Sequence, residues 1–436
     1  TYNVTEFSRH VYGENSGIPV RASSYSSEEM LSDNFTVYQQ KFKDIGYWNL
    51  LYKTLGNEGF IKMRDINGYD SNVPNGSSPA LLPTSDYGSS TYFRTLTDGY
   101  DKLPIRIHQE YEKLGGQTTY NMRLAKIKNL KKNPGGYRYC LVFIETETCK
   151  RSFETTDKVE NLDGNDDEYP CKCKTKHYVL CKDLILAMPR RSLELVSWNG
   201  FNGSEQKELL NSVIIQPSNK LLLGYEQPWW RIQNIIAGRS ISDTPLRMTY
   251  YFGTEGEQAG AEPKNLNSAI LASYSDMTNV QFWKGLERGT PYKPLKNKYW
   301  SDEDYNDFCG QAEEKPFLAP TEQMVHQAHS MLEELHGFRP GSLPLPYVAM
   351  YQDWDGNPYG GGYHSWKAGF NYLDVIKSMQ NPDSQHAVYV TGSAYSNNQA
   401  WVEGAFQTAE RVLQRFYNLP PPSWLPPNTP DSVFGP

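Results

Sequence analysis

The segment VYVTGSAYSNNQAWVEGAFQTAERVLQRFY, from Val388 to Tyr417, gives the clearest structural pattern in this chain. Its apolar opening predicts a buried strand, Gly392 marks a tight turn, and a polar loop leads to a helix that begins near Trp401. The first turn of a helix carries main-chain N–H groups without intrahelical acceptors and the positive end of the helix dipole. Such a strand-loop-helix unit aims donors at one point, where the electron-rich edge of a cofactor can bind.

The length, charge and composition of the chain limit the kinds of partner that it can have. Its 436 residues are enough for two or three domains with a large core. The net charge of −7 argues against nucleic acid or an anionic membrane surface as the main partner. No apolar run reaches the roughly 18 residues that a membrane-spanning helix needs. Four glycosylation sequons, at Asn3, Asn34, Asn75 and Asn202, together with clustered cysteines, favour a secreted protein.

Most of the cysteines fall in one part of the chain, between Cys140 and Cys181. The pair Cys171 and Cys173 lacks the spacing of a zinc knuckle, and the acidic insert NLDGNDDEYP lacks the alternating ligands of a calcium loop, so we predict no metal site. We expect two disulfides that staple an enlarged hairpin over this region, with free thiols as the alternative. Connectivity cannot be read from the sequence.

Patterns elsewhere indicate the organisation of the chain. Apolar runs such as KLLLGYEQPWW and NSAILASYS predict strands of an antiparallel or mixed sheet, and TEQMVHQAHSMLEELHG predicts a helix. In LPIRIHQEYEKLG, Leu103 and Pro104 open an amphipathic helix that carries Ile105, Ile107 and Tyr111. In NMRLAKIKNL we expect Leu124 to face inward.

Three motifs together resemble the flavin-dependent amine oxidases, and most closely their L-amino-acid oxidase branch. The first is G-x8-W-V-E-G-A, from Gly392 to Ala405. The second is DGYDKLP, where the oxidases have D-G-M-D-K-L-P, and the third is WDGNPYGGGY, which resembles W-x4-Y-x-G-G. The resemblance covers about residues 90–418, and the motifs are specific when they are taken together.

The resemblance implies an α/β (mixed α+β) architecture: an FAD-binding nucleotide fold of the amine-oxidase type that lacks its first βαβ unit. The implied domains are a helical subdomain, the middle part of the FAD domain with a Cys-rich hairpin, a mixed-sheet substrate domain, the C-terminal part of the FAD domain and a Pro-rich tail. They occupy, in that order, residues 1–90, 91–208, 209–350, 351–418 and 419–436.

At the strand-loop-helix unit, the resemblance places the helix N-terminus against the flavin pyrimidine ring, with the N–H of Val402 near a ring carbonyl and Trp401 in the wall of the substrate cavity. Gly392 belongs to the same cofactor-binding set. Two positions depart from the family pattern: Ser393 replaces a usual acidic residue, and Ala400 replaces a usual glycine. Ser393 keeps a hydrogen-bonding group but loses the carboxylate charge.

The remaining implied cofactor contacts lie upstream of that unit. Trp354, Tyr359 and the close-packed Gly361 and Gly362 surround the flavin ring, because glycines permit close backbone approach. Leu124 contacts the adenine end through its backbone.

The resemblance also assigns two catalytic side chains to the middle of the chain. Lys220 holds a water near the flavin N5 position, where a cation stabilises the reduced, anionic flavin. A lysine at the head of an apolar strand is otherwise a snorkelling surface residue. Tyr274 binds the substrate carboxylate through its hydroxyl, with Ser273 as the competing position and a buried structural tyrosine as the plain alternative.

The implied activity is FAD-dependent oxidative deamination of an L-amino acid by oxygen. The products are a 2-oxo acid, ammonia and hydrogen peroxide. Because the dinucleotide-binding βαβ unit and a carboxylate-binding arginine are not found, we expect a processed enzyme in which an N-terminal segment or chain completes the FAD site. We also expect a homo-oligomer. The alternatives are a polyamine or monoamine oxidase, or a secreted non-catalytic protein on the same fold.

Overall fold

A computed structural model describes residues 25–66, 76–81, 96, 99–131, 134–146, 176–314, 318–356 and 358–425. Within these ranges the fold mixes helices and sheets, which confirms the expected class. The helices are, in chain order, α1 Ser27–Leu31, α2 Tyr47–Ile66, α3 Ser78–Leu81, α4 Lys102–Lys113, α5 Arg190–Glu194, α6 Ser204–Asn211, α7 Thr278–Lys284, α8 Asp302–Glu314, α9 Glu322–Leu335, α10 Tyr372–Met379 and α11 Val402–Tyr417.

The strands form one large sheet and several small ones. The strands are β1 Thr36–Val37, β2 Gln40–Lys41, β3 Met122–Asn129, β4 Tyr139–Glu145, β5 Lys176–Cys181, β6 Leu184–Ala187, β7 Val213–Gln216, β8 Ser218–Tyr225, β9 Gly238–Ile241, β10 Met248–Thr254, β11 Ser268–Asp276, β12 Val348–Asp353, β13 Tyr363–Trp366 and β14 Val388–Thr391. The large sheet is antiparallel with the order β12-β8-β11-β10-β9. The sequence left an antiparallel and a mixed sheet open for the middle of the chain, and the structure has the antiparallel one, so the mixed sheet expected for the substrate domain is not what forms here.

The small sheets flank the strand-loop-helix unit. Strand β14 pairs in parallel with β6, and β3-β4-β5 form an antiparallel sheet. Strands β7 and β13 make a further antiparallel pair. In β3, a register shift between Leu124 and Lys126 lets Leu124 and Ile127, an odd number of residues apart, both face inward. The prediction for Leu124 is therefore confirmed.

Two hydrophobic cores hold these sheets. The first contains Leu186, Val388 and Ile376 and joins the parallel strand pair to α10. The second packs α9 against the large sheet, with Leu221 on the sheet and Val325 on the helix. The catalytic candidate Lys220 is positioned by the second core. It precedes buried Leu221 on β8, and because side chains alternate along a strand, Lys220 points to the opposite face of the sheet. The domain boundaries given above stay predictions.

The N-terminal described residues form a small helical part with its own core around Phe42 and Leu50. Helix α1 begins at Ser27, and Ser26 caps it in a reciprocal capping box with Glu29. Its last two residues, Met30 and Leu31, are buried.

Helix α4 forms where the sequence predicts it, but no residue of α4 is buried. Ile105, Ile107 and Tyr111 are 43%, 47% and 51% exposed. The amphipathic pattern therefore describes the helix correctly, while its apolar side is not covered by the described part of the chain.

The cysteines do not follow the expected disulfide pattern. Cys140 and Cys181 lie on the neighbouring strands β4 and β5, and both are free thiols. The other hairpin cysteines, Cys149, Cys171 and Cys173, lie outside the described residues. Three cysteines can form only one disulfide among themselves, so the expectation of two disulfides is wrong for this structure.

In the part of the chain that the structure describes, no helix is both long and apolar enough to span a membrane. Over the same residues, no group of three or more His, Cys, Asp or Glu side chains comes together as metal ligands.

Candidate active site

Lys220 lies on the central strand pair of the large sheet, beside two aromatic rings. Strand β8 pairs Lys220 with Tyr274 of β11 on one side and with Gln352 of β12 on the other. The Lys220 Nζ atom is 4.6 Å from the ring centre of Tyr274 and 5.6 Å from that of Trp354. These distances are typical of cation–π interactions, so both rings favour the charged ammonium group. The structure thus brings together three residues predicted from separate segments.

The electrostatic setting of Lys220 is unusual for a lysine. Its side chain is half-buried, and among the described residues it pairs with no carboxylate. Burial lowers the pKa of its ammonium group from the ordinary 10.5, because the charged form loses hydration. A cation in this position can stabilise negative charge that develops next to it.

The structure distinguishes Tyr274 from its competitor Ser273. A register shift between Leu271 and Ser273 sets which side chains of β11 face Lys220. Tyr274 stands over Lys220, whereas Ser273 is fully buried and donates to the main-chain oxygen of Pro245 at 3.1 Å. Only the tyrosine lies on the lysine side of the sheet.

The glycine-rich turn closes against the same strand. The N–H of Gly361 donates to the main-chain oxygen of Trp354 at 2.7 Å, and the N–H of Gly362 donates to that of Gln216 at 2.9 Å. A side chain on Gly362 would meet the Cβ of Ser218 at 2.4 Å. Glycine is therefore required by the close approach of the turn to β8, which explains the motif physically.

A cavity of about 350 Å³ opens beyond the far end of this turn. Its lining residues include two predicted cofactor contacts, Leu124 on β3 and Tyr359 in the turn, together with Met188 at the end of β6. The N-ε group of Arg191 donates to the main-chain oxygen of Pro358 at 3.2 Å and ties the turn to α5. The turn therefore places Trp354 beside Lys220 and Tyr359 at the cavity that Leu124 lines.

The strand-loop-helix unit is built as predicted. Gly392 follows β14 with φ near +137°, and its N–H donates to the Thr408 hydroxyl of α11 at 2.9 Å. Ser393 opens a short 3-10 turn and its main-chain oxygen accepts from the Ser396 hydroxyl. A side chain on Gly404 would lie 2.3 Å from the main-chain oxygen of Asn398, so the loop packs directly on the helix.

The end of that loop faces solvent. Ala400 has φ near +67°, a left-handed conformation that favours glycine, which accounts for the usual glycine of the family pattern. Trp401 and Val402 are 54% and 55% exposed, and the ring of Trp401 has no aromatic partner within the described ranges. The structure places Trp401 at the N-terminus of α11, as predicted, but shows no ring contact or hydrogen bond from it to Lys220.

Several contacts at this site carry no recognisable sequence signal. The Tyr363 hydroxyl donates to the carboxylate of Asp276 at 2.6 Å, and Asp276 is fully buried at the end of β11. His364 is also buried, and burial together with the nearby Arg190 charge lowers its pKa to about 4. It is therefore neutral at physiological pH, and its Nε2 atom has no hydrogen-bond partner among the described residues.

A lysine between two rings, a glycine turn and an open helix N-terminus suit an electron-rich planar ligand. The sequence profile described as "Flavin containing amine oxidoreductase" matches residues 23–415, which is most of the chain. The chain belongs to the flavin-containing amine oxidoreductase family. The mixed α/β fold described above is consistent with that family.

The named relatives of this chain are distant. Aplysianin-A of Aplysia kurodai is 23% identical over 421 residues, which cover 93% of this chain and 66% of aplysianin-A. L-amino-acid oxidase 4 of Hebeloma cylindrosporum is 23% identical over 51% of this chain and 32% of its own length. An L-amino-acid oxidase of Siganus canaliculatus is 25% identical over 47% of this chain and 31% of its own length. The chain thus spans slightly less than two thirds of aplysianin-A and about a third of each oxidase.

The family implies a flavin, and the described residues of this chain fit one. The ammonium group of Lys220 has no carboxylate partner among them, so it suits a cofactor that becomes anionic when reduced. Trp354 and Tyr359 are 40% and 43% exposed and offer flat apolar surfaces, as does Trp401. With Lys220, these rings are the residues that would hold the flavin.

Proposed function

We propose that this chain forms the substrate-facing part of an FAD-dependent L-amino-acid oxidase. The reaction converts an L-amino acid, oxygen and water into a 2-oxo acid, ammonia and hydrogen peroxide. The observation that carries the proposal is the half-buried, carboxylate-free Lys220 between the rings of Tyr274 and Trp354. A lone cation between aromatic walls is costly unless it meets negative charge during the reaction.

The side chains have separate roles in this proposal. A bound flavin would supply the acceptor for the hydride of the substrate Cα and the two electrons that reduce oxygen. Lys220 holds a water and supplies the positive charge that favours electron transfer to oxygen. Tyr274 binds the substrate carboxylate through its hydroxyl, while its ring and that of Trp354 shield Lys220 from solvent.

A second candidate, an amine oxidase, is favoured by one observation. The group around Lys220 is aromatic, and the nearest buried arginine, Arg247 beside Tyr274, donates to the main-chain oxygens of Arg64, Asp65 and Ser242. An aromatic cage suits a substrate without a carboxylate. The names of the two oxidase relatives support the amino acid instead.

Completion of the FAD site by an N-terminal segment of the same enzyme is part of the proposal. Two observations support it: the uncovered apolar side of α4, and a match to aplysianin-A that leaves a third of that protein unaligned. The exposed Trp401 and Val402 suit a surface that such a segment would cover. Secretion is likewise a proposal, supported by the exposure of the sequon residues Asn34 and Asn202.

Peroxide detection on the intact, full-length protein tests the reaction class. We expect peroxide from L-amino acids, and none from their D-enantiomers or from the amines that lack the carboxylate. Peroxide from the amines alone would replace the proposal with the amine oxidase. No peroxide from any of the three sets would favour a non-catalytic protein on the same fold.

A further inference from the structure

Lys284 is the last residue of α7 and lies against the residues on both sides of Trp354. Its Nζ atom is 2.5 Å from the Asp355 carboxylate and 3.5 Å from the Asp353 carboxylate. It also donates to the main-chain oxygen of Asp355 at 3.3 Å. The Asp353 side chain is only 6% exposed, so this carboxylate needs a nearby positive charge.

The turn that carries Trp354 is tied to the sheet through its backbone. The N–H of Trp354 donates to the main-chain oxygen of Ser218 at 3.1 Å, and the N–H of Asp355 donates to the Asp353 carboxylate at 2.7 Å. These bonds and those of Gly361 and Pro358 fix the main chain of the turn. Lys284 adds an attachment through the side chains of Asp353 and Asp355, the two residues next to Trp354.

The attachment is electrostatically favourable at physiological pH. Burial alone would lower the pKa of Lys284, but the Asp355 hydrogen bond and the charges of both carboxylates outweigh it and raise that pKa. The ammonium group is therefore charged at physiological pH. One cation shared by two carboxylates holds them at a fixed spacing, and Trp354 lies between them in sequence.

Helix α7 also begins close to Tyr274, the second aromatic residue beside Lys220. Helix α7 begins at Thr278, four residues after Tyr274, and Asp276 between them binds the Tyr363 hydroxyl. Through Lys284, α7 connects the strand that carries Tyr274 with the turn that carries Trp354. The two rings around Lys220 are thereby held relative to each other.

We propose that Lys284 is a positioning residue: bound between Asp353 and Asp355, it keeps the Trp354 ring against the Lys220 ammonium group. The structural part of the inference stands on the chain alone, and its consequence for oxygen reactivity rests on the proposed function. Lys284 itself does not reach Lys220 in this arrangement, so its effect passes through Trp354.

Nuclear magnetic resonance of lysine side chains tests the structural part without any turnover. Protein labelled with carbon-13 at the lysine ε-carbon gives one signal per lysine, and Lys220→Arg identifies the Lys220 signal by its loss. Aromatic rings close to Nζ should displace that signal upfield. We expect Lys284→Met to remove the share of this displacement that the Trp354 ring contributes, Lys284→Arg to retain it, and the exposed control Lys207→Met to leave the displacement unchanged. An undiminished displacement in folded Lys284→Met would overturn the inference.

If Lys284→Met does not fold, the variant Asp355→Asn provides the test of the positioning role. It removes the shorter ion pair and leaves Lys284 with Asp353, whose side chain is the more buried of the two. A partial loss of the displacement is expected, and full retention of it contradicts the positioning role.

In the intact flavoprotein, flavin reoxidation by oxygen should slow in Lys284→Met while the substrate KM stays close to that of the wild type. The charge-conserving Lys284→Arg should restore the rate. Wild-type protein that oxidises no amine or amino acid would remove the proposed function, whereas the Lys220 signal decides the positioning role in either case.

Discussion

The Lys220 cluster and the N-terminus of α11 are both parts of the candidate flavin site, yet they are built differently. Around Lys220, three strands and two rings hold a half-buried cation in place. At α11, Trp401 and Val402 project into solvent, and Ala400 holds a left-handed backbone conformation. The first region is preorganised by its own chain, whereas the second is a surface that a cofactor or a further segment has to cover.

Because of this difference, substitutions in the two regions should change different properties of the protein. A preorganised charge acts on a reaction without a further folding step, so changes at Lys220 should alter rates strongly. An exposed ring contributes only when something binds against it, so changes at Trp401 should alter binding and leave the fold intact. The four predictions below test that contrast.

Removal of the Lys220 charge should have the largest effect. We expect Lys220→Met to slow flavin reoxidation by roughly 10²-fold, since one preorganised electrostatic group contributes about that much. Rapid mixing of reduced enzyme with oxygen measures the rate. Lys298→Met is the matched control, because Lys298 also lies over a ring, that of Tyr299, but on an exposed part of the surface. Equal losses in the two variants would contradict the special role of Lys220.

Alkaline pH should mimic that substitution. Because burial lowers the pKa of Lys220 from 10.5, its charge is present below the lowered value and is lost as the pH rises through it. Reoxidation should therefore begin to fall below pH 10.5, by about tenfold for each further pH unit. Arginine stays charged throughout this range, so Lys220→Arg should show no such decline. A decline of the same shape in Lys220→Arg would assign the titration to another group.

Truncation at Trp401 should weaken the cofactor more than the fold. Trp401→Ala removes a ring worth about 1 kcal/mol in a stacked contact, so the flavin should dissociate about fivefold more readily. The free energy of unfolding of the flavin-free protein should change by less than about 0.5 kcal/mol, because the ring is exposed. Flavin release on dilution and denaturant titration measure the two effects. Trp424→Ala, at a position that is 79% exposed, should alter neither.

The smallest effect is expected at Ala400. Glycine relieves the left-handed conformation but makes the unfolded chain more flexible, so Ala400→Gly should stabilise the fold by at most about 1 kcal/mol. Denaturant titration measures the change. The control Ala405→Gly lies inside α11, where glycine should destabilise by about 1 kcal/mol. Destabilisation by Ala400→Gly would show that its backbone is not strained.

Local patterns predicted much of the fold. Strands β8 and β11, helix α9 and the unit from β14 to α11 follow from periodicity and turn residues, because each is encoded by residues that are neighbours in the sequence. The unpaired thiols of Cys140 and Cys181 were not predictable, since cysteine spacing does not specify pairing.

The geometry of the site was less accessible from the sequence. The choice between Ser273 and Tyr274 depended on the register shift in β11, and a shift of one residue exchanges the two faces of a strand. The contact between Lys284 and the residues beside Trp354 joins segments about seventy residues apart and has no motif. Long-range register and ion pairing therefore needed the three-dimensional structure.

The visible absorption spectrum of the intact, full-length protein, titrated with an L-amino acid in the absence of oxygen, is the decisive test of flavin-dependent amino-acid oxidation. We expect a yellow protein with the bands of oxidised flavin, which bleach on addition of the L-amino acid and return when oxygen is admitted. A colourless protein, or flavin bands that no L-amino acid bleaches, would contradict it.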